Sequence, residues 1–373
     1  MHRILRARKT YIKDKKFILM RSILSSILMV LFSITAIAGE TNHEKSAEDE
    51  KYDPVPPIMH HISDAHDFHI VGDVSMPLPV ILWTDNGLVT FMSSEFHHDD
   101  SGHHVVTKNG MNFVKSHEKI YQLNAGAENA EFDAEHHISN GSRPIDISIT
   151  KNVFSMFLSV MILFFVFLKT AAWYKKGNQV PRGIAGFMEP IILFIKNDIA
   201  IQNIGEKKYK RYMPYLLTVF FFIWFNNLIG LIPIFPFSSN LTGNIAVTLV
   251  LATFTLLITN FSGNKNYWGH IFWMPGAPIP IKIFLIPIEL IGMIAKPFAL
   301  MIRLFANITA GHIVVLSLIS LTFIFKSLII GGLVSVPFTL FISVLELLVA
   351  LLQAYVFTML SALFIGSAVA EHH

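Results

Sequence analysis

The sequence predicts an all-α polytopic membrane protein with five transmembrane helices, two of them long and tilted, preceded by a small β-rich extracytoplasmic N-terminal region. Three observations predict it. Of 373 residues, 53% are hydrophobic and 15% charged, against roughly 45–50% and about 25% in soluble chains. Five apolar stretches reach or approach the roughly 20 residues that a bilayer crossing needs. Residues 40–145 hold 18 of the 26 acidic residues and 12 of the 17 histidines, but only six of the 29 lysines and arginines. The net charge of +3 therefore averages two environments. Because the positive charges flank apolar runs, a nucleic-acid surface is excluded. The chain has no cysteine, which excludes disulfides, thiol catalysis, cysteine-ligated metals and lipid attachment through sulfur.

Residues 1–38 read as a signal peptide: a basic stretch from Arg3 to Arg21, an apolar core at 23–34 and Ala36-Ile37-Ala38 before Gly39. The alternative, an uncleaved first helix, has an apolar run too short to span. Residues 39–67 are expected to be a polar linker with little order, interrupted by Pro54-Val55-Pro56-Pro57. Residues 68–145 form the β-rich region, with short alternations at 68–74, 80–83, 88–92, 104–107 and 111–114. Asp85-Asn86-Gly87 and Asn109-Gly110 between them are hairpin turns. Paired histidines such as His97-His98 and His103-His104 read as solvated polar surface, because nothing in their spacing fixes a coordination geometry. No metal site is expected.

Residues 146–373 are the membrane domain. Its spans are expected at 153–173, 215–237, 245–261, 283–325 and 328–370. The last two would each be about 60 Å long if continuously helical, so they must tilt, kink or split, and Pro287, Pro297 and Pro337 offer places to bend. Lys175, Lys176, Arg182, Lys196, Lys207, Lys208, Lys210 and Arg211 lie between the first two spans, while the loop at 237–244 has no charge. The first loop is therefore cytoplasmic, with an interfacial helix at 185–201; the C-terminus is also inside and residues 39–150 outside.

Ionisable groups inside spans cost about 2.5 to 3.5 kcal/mol each, so they mark an ion path or a paired interior. Here they are Glu289, Lys296, Arg303, His312 and Glu346, with Asn307 and Gln353. Glu289, Lys296, Arg303 and Ala310 are spaced by seven and share a stripe, and Ala295, Ala299, Ala306 and Ala310 make a ribbon of small side chains around Arg303. Such a ribbon lets another helix approach closely. A permanently charged guanidinium within it needs an anion, and the missing carboxylate is expected on another protein.

His312 lies about 180° around the helix from Arg303 and about 13 Å along it. If Gln353 is level with Arg303, then Glu346, seven residues earlier, lies about 10 Å further out, near His312. Both groups can exchange protons in a low-dielectric setting. Glu289 lies about 21 Å to the other side of Arg303. Two proton-accepting stations are thus separated by a fixed positive charge.

The run Lys296-Pro297-Phe298-Ala299-Leu300-Met301-Ile302-Arg303-Leu304-Phe305-Ala306-Asn307-Ile308-Thr309-Ala310-Gly311-His312 resembles the signature of subunit a of F-type ATP synthases. Supporting it are Phe225-Asn226-Asn227-Leu228-Ile229-Gly230, Thr242-Gly243-Asn244-Ile245 and Leu351-Leu352-Gln353-Ala354-Tyr355. The resemblance spans roughly residues 185–370. It implies a proton-conducting stator in which Arg303 faces the carboxylate of the subunit c ring. It also implies that His312 and Glu346 line an outer half-channel near Asn244, Asn307 and Gln353, and that Glu289 belongs to an inner one. Some family members carry the acid on the arginine helix and the histidine on the last; here the order is swapped. Implied partners are the c-ring, peripheral-stalk subunit b, the rest of the F1Fo complex and inner-membrane lipid. No cofactor and no bond chemistry in this subunit are implied. A secondary transporter predicts inverted repeats, and an intramembrane metalloenzyme predicts a ligand cluster such as His-Glu-x-x-His; the spans carry neither.

Overall fold

In a computed structural model, described for residues 53–71, 74–133, 137–175, 177, 180–232, 239–273, 278–324 and 328–370, the architecture is mostly helical with a β-rich N-terminal region. The expected signal peptide lies outside the described residues. Residues 1–50 with 69–75 form one unit, whose described residues are extended. Residues 51–68 with 76–373 form the second.

Its first element is a helix, α1 (Val55–Ile62), inside the stretch expected to be an unstructured linker. The prolines that suggested disorder occupy the first turn, where a missing N–H costs nothing, and Ile58 is buried. Strands β1 (Asp67–Val71) and β2 (Val74–Pro77) follow. The two hairpin turns are where the sequence puts them. β3 (Pro79–Thr84) pairs antiparallel with β4 (Gly87–Met92), and β5 (Val106–Lys108) with β6 (Met111–Ser116). Gly87 and Gly110 take positive φ, as such turns require. β7 (Lys119–Leu123), β8 (Gly141–Ser142) and β9 (Ile145–Asp146) complete two sheets of order β4-β3-β9 and β5-β6-β7-β8. Alternate residues of both sheets, among them Val80, Leu82, Val89, Phe91, Val106 and Phe113, share one apolar core, the signature of strands with one face packed.

Five helices are long and apolar enough to cross a membrane. They are α2 (Lys151–Lys175), α4 (Tyr209–Gly230), α5 (Ile245–Ser262), α7 (Ile279–Ile324) and α8 (Leu328–Val369). α3 (Ile184–Phe194) continues through a π-helical stretch (Ile195–Ile201), and α6 (Lys265–Phe272) follows α5. The second span ends at Gly230, seven residues earlier than expected, because the residues just beyond it leave the helix. Hydropathy alone does not mark that stop. α7 is helical throughout despite Pro287 and Pro297, and α8 despite Pro337.

The membrane-domain core is where α3, α4, α7 and α8 meet, around Ile195, Ile199, Leu216, Phe220, Leu300, Leu304, Ala354 and Phe357. A Cβ on Gly366 would overlap the carbonyl of Asn203, so glycine lets α8 pass close to the end of the α3 segment.

Candidate functional site

α7 has two chemically different faces. Leu300 and Leu304 are buried in the core, whereas Ala295, Ala299, Arg303, Ala306 and Ala310 are exposed on another side. The arginine ribbon is therefore an uncovered surface of this chain. Among the described residues no carboxylate comes within 4.0 Å of the Arg303 guanidinium. A cation left in an apolar environment without an anion is strongly unfavourable.

The other face builds a small polar cavity of about 20 Å³ lined by Asn227, Asn307, His312 and Glu346, with Leu231, Ile308, Val349 and Ala350 completing it. That volume admits about one water molecule. Two glycines allow the helices to close on it. A Cβ on Gly311 would overlap Oε1 of Glu346, and a Cβ on Gly230 would stand 2.9 Å from the Ser239 carbonyl and 3.7 Å from Nε2 of His312. Asn227 is 3% exposed, accepts from Thr242 Oγ1 at 2.5 Å and donates Nδ2 to the Ala350 carbonyl at 3.4 Å. It joins α4, the loop before α5, and α8 at the cavity wall.

Glu289 lies elsewhere. It lines a larger cavity of about 300 Å³ with Asn260, Tyr267, His270 and Lys296, walled partly by α6. Asn264 starts α6 by accepting from the Tyr267 amide at 2.8 Å and ties it to the chain's end by donating to the Ala370 carbonyl at 2.6 Å. Burial first, and then the Glu289 charge, push the Tyr267 phenol above its ordinary value.

The structure thus gathers Asn307, His312 and Glu346, sets Glu289 in a separate cavity, and leaves Arg303 on an open face. Gln353 is 5% exposed and lines neither cavity. Asn244 lines neither and caps α5, its Oδ1 accepting from the Ala246 amide at 2.9 Å. Asn227 was not among the expected stations. Its signal in the sequence is an amide inside an apolar span, within the Asn226-Asn227 pair.

Residues 153–366 match the family described as ATP synthase A chain. The chain belongs to that family. Relatives include ATP synthase subunit a 2 of Chlorobaculum tepidum, 51% identical over 233 residues, which cover 61% of this chain and 64% of the relative. ATP synthase subunit a of Chlorobium phaeobacteroides (strain BS1) is 52% identical over 228 residues, or 59% and 66%. That of Anaeromyxobacter sp. (strain Fw109-5) is 44% identical over 256 residues, or 65% and 61%. The match thus spans just under two thirds of the first two relatives' lengths. Residues 57–147 match a second family, described as a domain of unknown function (DUF8433). The ATP synthase A chain match takes in the arginine ribbon, the small cavity and all of the larger cavity's lining but Ser367; the second match takes in most of α1 and the β-rich region.

Proposed function

We propose that the chain is the proton-conducting stator subunit of a rotary F-type ATP synthase, set in the cell inner membrane with its N-terminal region periplasmic and its C-terminus cytoplasmic. The observation that carries this reading is the geometry of α7: an exposed Arg303, unpaired among the described residues, in a ribbon of small residues, with titratable groups in cavities at separate places along the same helix.

In this reading a c-ring helix packs on the alanine ribbon. A ring carboxylate arriving ionised is held by Arg303 through a charge-assisted pair. It cannot move on into lipid while charged, since an unpaired ion there is costly. Glu346 and His312, reached from outside, supply the proton that releases it. On the other side of Arg303 the cavity of Glu289 accepts a proton from a ring carboxylate, so that each step of rotation carries one charge across. One charge through 100 mV is worth about 2.3 kcal/mol, so several must pass per ATP, which a ring permits. Peripheral-stalk subunit b holds the stator still, ATP forms in the F1 sector, and this subunit makes and breaks no covalent bond.

Arg303→Ala in the whole complex, reconstituted in vesicles, tests the reading. Assembly and ATP hydrolysis should persist while gradient-driven ATP synthesis falls to background; normal synthesis by the mutant would refute it.

A further inference from the structure

The exposed face of the β4-β3-β9 sheet is apolar. The opposite face packs into the core through Val80, Leu82, Val89 and Phe91, so alternation turns Ile81, Trp83, Leu88, Thr90 and Met92 outward. In the sheet's register Trp83 stands between Leu88 and Ile145, and Ile81 stands beside Thr90. The ladder runs on past β9, where the Ile147 and Ile149 amides donate to the Ile81 and Pro79 carbonyls at 2.9 and 3.1 Å. Trp83, Leu88, Ile145 and Ile147 are each more than half exposed, and none of these outward side chains is charged.

The intervening residues make this stretch the inverse of a strand facing water. Asp146 Oδ2 lies 2.9 Å from Nε2 of the buried His66, Ser148 Oγ accepts from the Ile81 amide at 2.9 Å, and Thr150 Oγ1 donates to Asp64 at 3.0 Å. Polar side chains are thus turned to the protein and isoleucines to the outside, whereas a solvated sheet face is polar. No free linker separates the sheet from α2. The Lys151 amide donates to the Ala65 carbonyl at 2.9 Å, and Phe68 packs edge-on against Phe154 in the first turn of α2, with ring centroids 5.4 Å apart. From Ile147 to Leu168 every exposed residue is apolar, so no exposed polar side chain separates the sheet face from the exposed side of the membrane helix.

We propose that this face docks on the membrane itself, with Trp83, Leu88, Ile145 and Ile147 at the headgroup–acyl boundary of a phospholipid bilayer, on the side where α2 begins. Continuity with the apolar surface of α2 favours lipid as the occupant. So does a tryptophan among aliphatic neighbours, since an indole keeps its ring in the apolar layer and its N–H at the wet edge. Ile145 precedes Lys151 by six residues, about 20 Å of extended chain, so the row reaches that layer when the sheet lies along the surface. The β-rich region is then held against the bilayer. This docking depends on α2 crossing a bilayer and not on proton conduction.

The chain has no cysteine, so a nitroxide label can be placed at one position at a time. Trp83→Cys, Leu88→Cys and Ile145→Cys in the full chain, reconstituted in phosphatidylethanolamine–phosphatidylglycerol vesicles, are read for collisions with oxygen, which concentrates in lipid, and with a water-soluble nickel chelate. Phe164→Cys, exposed on α2, is the lipid reference, and Ser142→Cys, exposed on β8, is the water reference. The three labels should match Phe164→Cys, with an oxygen-to-nickel collision ratio several-fold above that of Ser142→Cys. A ratio equal to that of Ser142→Cys puts the row in water and overturns the proposal. Few collisions with either reagent mean that protein covers the face, a second copy if the labels broaden one another's spectra, and this too overturns docking on lipid. If Trp83→Cys does not fold, Leu88→Cys and Ile145→Cys in the same row decide the matter.

Discussion

The carboxyl group of Glu346 rests against the bare Cα of Gly311, in space that any other side chain at 311 would occupy. One turn of α7 is thus shaped to receive an acid from α8, immediately before the histidine that shares its cavity.

Gly311→Ala should therefore displace the Glu346 carboxyl without unfolding the helix pair, since the displaced atoms end a flexible side chain and alanine favours helix by about 1 kcal/mol over glycine. Proton pumping driven by ATP, followed in vesicles by a pH-sensitive dye, should fall about tenfold, with the complex assembled and its thermal midpoint close to wild type. Unchanged pumping would detach the glycine from the site.

His312 and Glu346 should behave as one unit. Single substitutions His312→Ala and Glu346→Gln are each expected to lower coupled synthesis, and the double mutant should be far less impaired than the product of the two effects. Independent, multiplying losses would mean that the shared cavity has no shared role.

Asn227→Leu should cost about 1–3 kcal/mol of stability, because the Thr242 hydroxyl loses its acceptor in a buried place. Thermal unfolding of the detergent-solubilised complex measures this. Asn227→Ala/Thr242→Val, which removes both partners, should recover part of the loss.

The β-rich region has a predicted acid limit. Burial acts to raise the Asp99 carboxyl, but hydrogen bonds from the Ser101 hydroxyl and from backbone amides of His104, Ser101 and His103 outweigh it and hold Asp99 at about 2, below its ordinary 3.8. Its folded value is depressed, so its stabilisation is fully present above the ordinary value and is lost as pH falls through about 2. Amide exchange in residues 99–104 of the full chain should stay slow at pH 5 and accelerate between about pH 4 and pH 2. Asp99→Asn should flatten that profile.

Much of this architecture could be read along the chain. An apolar stretch long enough to cross a bilayer is a local property, and so is a two-residue turn rich in asparagine and glycine; the spans and the β3–β4 and β5–β6 hairpins followed from them. The stripe holding Arg303 among alanines is also local, fixed by helical period alone, and it emerged on an open face. The juxtaposition of His312 with Glu346 needed one further assumption, the level at which α7 and α8 lie side by side, and the cavity brings the two together.

What the chain order conceals is which faces meet across long separations. Asn227 reaches the Ala350 carbonyl over 123 positions, and Asp64 and His61 bind the start of α2 across 86 to 90. Such contacts depend on helix packing and on the glycines that permit it, and composition carries no record of them. Hence α1 read as a linker and Asn227 as one amide among many. Sequence by itself determined a bilayer protein with a lone arginine on a small-residue stripe, because periodicity and hydropathy are short-range. Only the tertiary structure decided what surrounds His312, because a buried polar site is built from groups whose neighbours are chosen by packing.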